Sequence, residues 1–243
     1  MLKERLLELK QEYGACGLKI EFETEDISLD EILALRQISG DAGLKLAIKI
    51  GGCGAIRDIC DAKRAGADSV IAPMIESVYA VKKFIKSIEE IYNDSANSPA
   101  LYINIETKNG MKNLDEIIYS EAFQKLDGIV IGRNDLAKSL GIKDIAAPKL
   151  INTVLDTAQK VHNTGKTVII GGKITPEEDF SYFPDFAGIE TRKIIFPICP
   201  DFKAITKALE FELAFMETKQ NKICTEIRRV KEIQARIQTC VLQ

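Results

Sequence analysis

Short apolar runs rich in Ile and Val alternate along the chain with longer segments whose apolar residues recur every three or four positions. That alternation is the mark of repeated strand-helix units around a parallel sheet. The runs are LKIEFE (18–23), KLAIKI (45–50), SVIAPMI (69–75), ALYINIE (100–106), DGIVIG (127–132), TVIIGG (167–172) and AGIETRKIIF (187–196). Among the helical segments, Val78, Val81, Phe84, Ile85 and Ile88 share one face. Charged residues recur at the C-terminal ends of the runs: Glu23, Lys49, Glu106, and Arg133 with Asp135. A closed barrel brings all its strand ends to one mouth, whereas an open sheet gathers its functional groups at one switch point. The pattern therefore predicts an α/β protein, a (β/α)8 TIM barrel, with an added N-terminal helix and a long C-terminal helix. Seven runs are clear; the eighth strand is not, and the N-terminal helix can stand where a usual first strand would be.

From Phe202 to Gln243 there is neither Gly nor Pro, and Ile223, Ile227, Val230, Ile233 and Ile237 form an apolar stripe. Residues 1–243 are expected to form a single domain, with 202–243 as a helical extension. The extension is longer than one barrel helix requires, so part of it is expected to pack on another subunit and give a homo-oligomer.

Composition narrows the use of such a barrel. A net charge of −3 and a pI near 5.5 argue against a nucleic-acid surface, which needs clustered Lys and Arg. No apolar stretch approaches the roughly 20 residues needed to span a bilayer, and the start MLKERLLELKQEYG is helical and charged, unlike a signal peptide. A cytoplasmic protein is expected. Six cysteines (Cys16, Cys53, Cys60, Cys199, Cys224, Cys240) lack CxxC spacing and read as reduced, mostly buried thiols. The lone histidine, His162 in AQKVHNTG, falls near a helix end, where a surface or helix-end role is favoured over catalysis.

Glu106 closes an otherwise apolar run, and a carboxylate in a dry interior is costly without a partner. Asp135 follows the adjacent run. Two carboxylates at one mouth can hold a divalent cation and leave positions for water and substrate, as Mg2+ prefers. Alternatively, Asp135 caps the helix that follows and Glu106 pairs with a lysine.

Three segments, AGADSVIAPMIESVYAVKKF, YINIETKNGMKNLDEI and LDGIVIGRNDLAKSLGI, together resemble the HpcH/HpaI aldolase and citrate lyase family of the phosphoenolpyruvate/pyruvate barrels. The match in order and spacing covers residues 65–142, with looser agreement from about 18 to 200. The resemblance implies Glu106 and Asp135 as ligands of Mg2+ or Mn2+, and the turn Pro73, Met74, Ile75 and Glu76 as a wall against a bound small 2-keto acid. It also implies chelation of pyruvate or a similar acid, with the metal stabilising the enolate formed when a carbon-carbon bond breaks or forms. The superfamily's exchange of an eighth helix between neighbouring subunits would suit the C-terminal extension.

Two departures qualify the likeness. Glu21, Phe22, Glu23 and Thr24 stand where the aldolases have Asp-Gly-Glu-His, so acid/base work falls to Glu21, Glu23, a metal-bound water or the substrate. Lys49 stands where they have Arg, keeping the charge but losing the planar fork. Arg133, in place of the usual Pro, or Arg192 could supply a guanidinium, unless each is a rim charge. Lys49 could instead form a Schiff base with a ketone, a route that leaves the carboxylate pair unexplained. Gly51 and Gly52, after the second run, are expected to shape the pocket. The rival readings are a barrel altered into a ligand-binding or assembly component, and a citryl- or malyl-CoA-type lyase.

Overall fold

The computed structural model describes residues 2–93, 98–180, 186–197 and 200–219. Its strands are β1 (Gly17–Glu21), β2 (Lys45–Lys49), β3 (Ser69–Ala72), β4 (Ala100–Ile105), β5 (Gly128–Gly132), β6 (Thr167–Gly171), β7 (Gly188–Glu190) and β8 (Ile194–Phe196), closed into a barrel in chain order. The first seven are parallel, and β8 is antiparallel to both β7 and β1. The last apolar run therefore holds two strands, not one. Thr191 makes the reversal: its N–H donates to the Ile194 carbonyl (2.9 Å), and its Oγ1 accepts from the Ile194 N–H (2.9 Å). Antiparallel strands need only a tight turn, so the barrel closes through a hairpin without the helix that a parallel crossover demands.

Around the strands lie α1 (Leu2–Tyr13), α2 (Phe22–Glu25), α3 (Leu29–Asp41), α4 (Ile56–Arg64), α5 (Val78–Tyr92), α6 (Lys108–Lys112), α7 (Leu114–Ile118), α8 (Glu121–Gln124), α9 (Arg133–Leu140) and α10 (Pro148–His162), and residues 202–219 are helical. Local chemistry sets the starts. Ser28 and Glu31 form a reciprocal capping box at α3, Ser77 Oγ accepts from the Ala80 N–H at α5, and Pro148 opens α10. The helix α1 precedes β1 and replaces no strand. The first apolar run also ends early, because residues from Phe22 onward wind into α2, so Glu23 sits on a helix and not at a strand end.

Side chains alternate across each strand. Leu18, Ile20, Leu46, Ile48, Ile129, Ile131 and Ile170 point outward into the large core shared with the helices. Ala47, Ile71 and Val130, flanked by Tyr102, Ile169 and Ile195, form a separate small cluster, the apolar plug inside the barrel. Positions of the same parity toward the strand C-termini are polar and charged, among them Lys19, Glu21, Lys49, Asn104 and Glu190.

Among the described residues no helix is long and apolar enough to cross a membrane. The helix over 202–219 buries Ala204, Ile205, Ala208, Phe211 and Phe215. The stripe from Ile223 to Ile237, with the subunit contact expected of it, lies outside the described residues, as do Cys199, Cys224 and Cys240. Cys16, Cys53 and Cys60 are free and half-buried, more open than expected.

Candidate active site at the barrel mouth

Glu106 sits just past β4 and is only 2% exposed. Its Oε1 accepts from the Met74 N–H (3.0 Å) and its Oε2 from Asn104 Nδ2 (3.0 Å). Among the described residues the nearest cation, Lys49 Nζ, is 3.9 Å from Oε1. Burial pushes the Glu106 carboxyl up, Lys49 and the two donors pull it down, and the charge of Asp135 pushes it up again. The net shift is upward, so the charge of Glu106 is under-compensated. Met74 offers its N–H from a left-handed backbone (φ 48°), an uncommon conformation for a residue with a side chain.

Asp135 lies in the first turn of α9 but does not cap it: the cap residue is Gly132, with no side-chain bond to the helix end. The Asp135 side chain instead faces the mouth, with Lys138 at 3.0 Å. Two oxygen-donor carboxylates on adjacent strand ends, together with the Asn104 Oδ1 that has no hydrogen-bond partner, fit a hard divalent cation such as Mg2+ or Mn2+. No group of three or more His, Cys, Asp and Glu suited to a metal occurs among the described residues, so water or substrate would supply the other ligands.

The mouth encloses a cavity of about 680 Å³ lined by Lys19, Glu21, Glu23, Thr24, Lys49, Met74, Asp135, Lys173, Arg192 and Glu212, among others. Its floor is a buried charge network. Lys19 Nζ lies 2.6 Å from Glu190 Oε1 and 3.2 Å from Glu21 Oε1. Burial opposes the charge on Lys19, but the two carboxylates outweigh it and raise its pKa well above the usual lysine range. Burial likewise works against ionised Glu21, and Lys19, Lys49 and the Thr24 hydroxyl (3.0 Å) overcome it and hold its carboxyl below the usual value. Lys49 spans Glu23 (3.4 Å) and Glu106.

The sequence model of the HpcH/HpaI aldolase/citrate lyase family matches residues 34–172, more than half of the chain. The chain belongs to this family. Over 80 residues it is 32% identical to the 2-keto-3-deoxy-L-rhamnonate aldolase of Escherichia coli O6:K15:H31 (strain 536 / UPEC), a stretch covering 32% of the chain and 29% of that relative. The barrel resembles a family protein of Burkholderia cenocepacia J2315 (TM-score 0.60, 18% identity, 70% of this chain and 76% of that one). It also resembles citrate synthase SbnG (TM-score 0.64, 20% identity, 91% of both chains).

Within this HpcH/HpaI barrel, Lys49, Glu21, Glu23, Met74 and Asp135 meet at the mouth, with Glu106 against them. Several other expected site residues do not. Arg133, a proposed catalytic guanidinium, is 2% exposed and turned from the mouth: it pairs through both terminal nitrogens with Glu178 and donates to the Gly171 and Gly172 carbonyls. Its burial makes it no rim charge, and it lines a second cavity with Lys173 and Glu178. Gly51 faces a different cavity, where its N–H donates to Asp58 (2.7 Å), and Gly52 accepts from the Ala55 N–H in a tight turn. Pro73 and Ile75 are buried, while Glu76 accepts from the Thr107 hydroxyl (2.7 Å), so only Met74 of that turn lines the mouth. Arg192 lies in the β7–β8 turn, lines the mouth and donates to Thr24 Oγ1 (3.0 Å). His162 ends α10, ahead of β6, at the opposite end of the barrel.

Residues that the sequence pattern did not single out complete the site: Lys19, Asn104, Lys173, Glu190 and Glu212. Lys19 and Asn104 were within reach, two positions before Glu21 and Glu106 on the same face of their strands. Glu190 hid in a run read as one strand, and Glu212 on a helix that looks like surface.

Proposed function

We propose that the protein is a divalent-metal-dependent carbon-carbon lyase or aldolase acting through the enolate of pyruvate or a similar small 2-keto acid. The observation that carries this reading is the buried, under-compensated Glu106 carboxylate beside Asp135 at the mouth of an HpcH/HpaI barrel. Glu106 and Asp135 hold Mg2+ or Mn2+, which when bound supplies positive charge where the keto oxygen turns negative. Met74 N–H and the Asn104 amide fix the Glu106 carboxylate in place. Lys49 offers its ammonium to the substrate carboxylate, a single point of charge where an arginine would give a two-pronged grip. Glu21, tied to Lys19 and Thr24, stays ionised and keeps Lys19 and Lys49 oriented.

The test is proton NMR of pyruvate in D2O with the protein and Mn2+, following exchange of the methyl protons. Exchange that disappears with EDTA and with Glu106→Ala is the expected result. Exchange that survives both overturns the metal route in favour of a Schiff base on Lys49. Mn2+ binding without exchange of any 2-keto acid points to a barrel retained for ligand binding or assembly, for which the replacements Thr24 and Lys49 speak.

A further inference from the structure

Four carboxylates line the mouth: Glu21, Glu23, Asp135 and Glu212. Three are engaged by cations, Glu21 with Lys19 (3.2 Å), Glu23 with Lys49 (3.4 Å) and Asp135 with Lys138 (3.0 Å). Glu212 hydrogen-bonds or ion-pairs with none of the described residues. It comes from the helix over 202–219, beyond the stretch matched by the family model, and Leu209 one turn earlier lines the mouth as its apolar neighbour. Thr24, Arg192 and Glu212 also line an adjoining cavity of about 400 Å³, so Glu212 stands on the wall where the two spaces meet.

We infer that Glu212 is the proton-transfer residue of the mouth, in place of the histidine whose position is filled by Thr24. The inference rests on the keto-acid reading above. Thr24 already donates to Glu21 and accepts from Arg192, so its hydroxyl is committed. Glu21, held below the usual carboxylate value by Lys19, Lys49 and Thr24, is a poor base, and Glu23 is engaged by Lys49 (3.4 Å). Glu212 has the opposite environment. Burial pushes its carboxyl up; Arg192 and Lys193 of the β7–β8 turn pull it down; Glu25 of α2 and Glu21 of β1 push it up again, leaving it raised. That direction suits a group that must both take and give a proton near neutral pH.

In the cleavage direction the Glu212 carboxylate takes the hydroxyl proton of a 4-hydroxy-2-keto acid. The oxygen's electron pair becomes the aldehyde C=O, the bond between carbons 3 and 4 breaks, and its electron pair passes to the keto-acid fragment as the enolate. The Glu212 carboxylic acid then returns its proton to carbon 3, giving the keto acid and the starting carboxylate. No co-reactant is consumed.

The experiment compares wild type, Glu212→Gln and Glu212→Asp in the pyruvate methyl exchange with saturating Mn2+, across a range of pD. Mn2+ affinity is followed separately by electron paramagnetic resonance, and folding by circular dichroism. Exchange in the wild type is expected to rise with pD as Glu212 ionises. Glu212→Gln should cut the rate by about 10²- to 10⁴-fold and remove that rise, with Mn2+ affinity and half-saturating pyruvate unchanged, and Glu212→Asp should restore part of it. A Gln variant with the wild-type rate and pD profile overturns the inference alone, as does a loss that follows weakened Mn2+ or pyruvate binding. A wild type that exchanges the carbon-3 protons of neither pyruvate nor any other small 2-keto acid overturns the keto-acid reading, and the inference with it.

Discussion

Gly132 stands so close to Glu106 that a Cβ on it would overlap the carboxylate oxygen Oε2. The missing side chain at the end of β5 is what lets the Glu106 carboxylate occupy the mouth. Gly132→Ala is expected to displace Glu106, weaken Mn2+ binding and cost about 1–3 kcal/mol of stability, the usual penalty of overpacking. Urea unfolding and paramagnetic resonance of bound Mn2+ measure the two effects; unchanged Mn2+ affinity would remove Glu106 from the proposed ligand set.

Glu106 sets stability against function. Because its folded carboxyl is raised, the folded protein binds more protons than the unfolded chain between the ordinary and raised values, so this group lowers stability as pH climbs through that window. Above the window the ionised carboxylate is a standing cost. Glu106→Gln should therefore stabilise the metal-free protein at neutral pH, raising Tm by about 2–4 °C if the gain is about 1 kcal/mol. The same variant should lose the stabilisation that Mn2+ gives the wild type. Calorimetric scans with and without Mn2+ provide the check.

Lys19 balances two buried carboxylates, and removing one member of such a set leaves charge uncompensated. Lys19→Met is expected to cost about 3–5 kcal/mol in urea unfolding, and adding Glu190→Gln should recover part of that. The folded pKa of Lys19 is raised, so its contribution is complete below the ordinary lysine value and disappears only as pH rises through the raised one. Stability between pH 6 and 9 should show no trace of its titration.

Lys49→Ala is expected to raise half-saturating pyruvate about 10- to 100-fold, matching a charge-assisted hydrogen bond of about 1.5–3 kcal/mol. Lys49→Arg keeps the charge and should lose much less. Equal losses from both variants in the exchange assay would mean that position, more than charge, matters there.

The architecture was legible in the sequence because inward and outward positions alternate along each strand, and outward Leu and Ile make the runs visible. The eighth strand was not, since Thr191, Arg192 and Lys193 reverse the chain without the Gly or Pro that usually marks a turn. Glu106, Lys49 and Asp135 stood out because each ends or follows an apolar run. Direction did not: Arg133 occupies a mouth position in sequence but swings to Glu178, a partner 45 residues away. Glu212 had no local signal, for its use depends on where its helix packs.

The hairpin closure also bears on how the molecule is made. Gly17 and Leu18 pair with Ile195 and Ile194, and the buried Lys19–Glu190 contact spans 171 residues. Until β8 is synthesised, β1 and β7 present open edges, the kind of surface through which nascent chains associate wrongly. Barrel closure is thus a late, long-range event, and slow folding follows from topology alone. A chain truncated just before Ile194 should aggregate during translation, even though every residue matched by the family model is present.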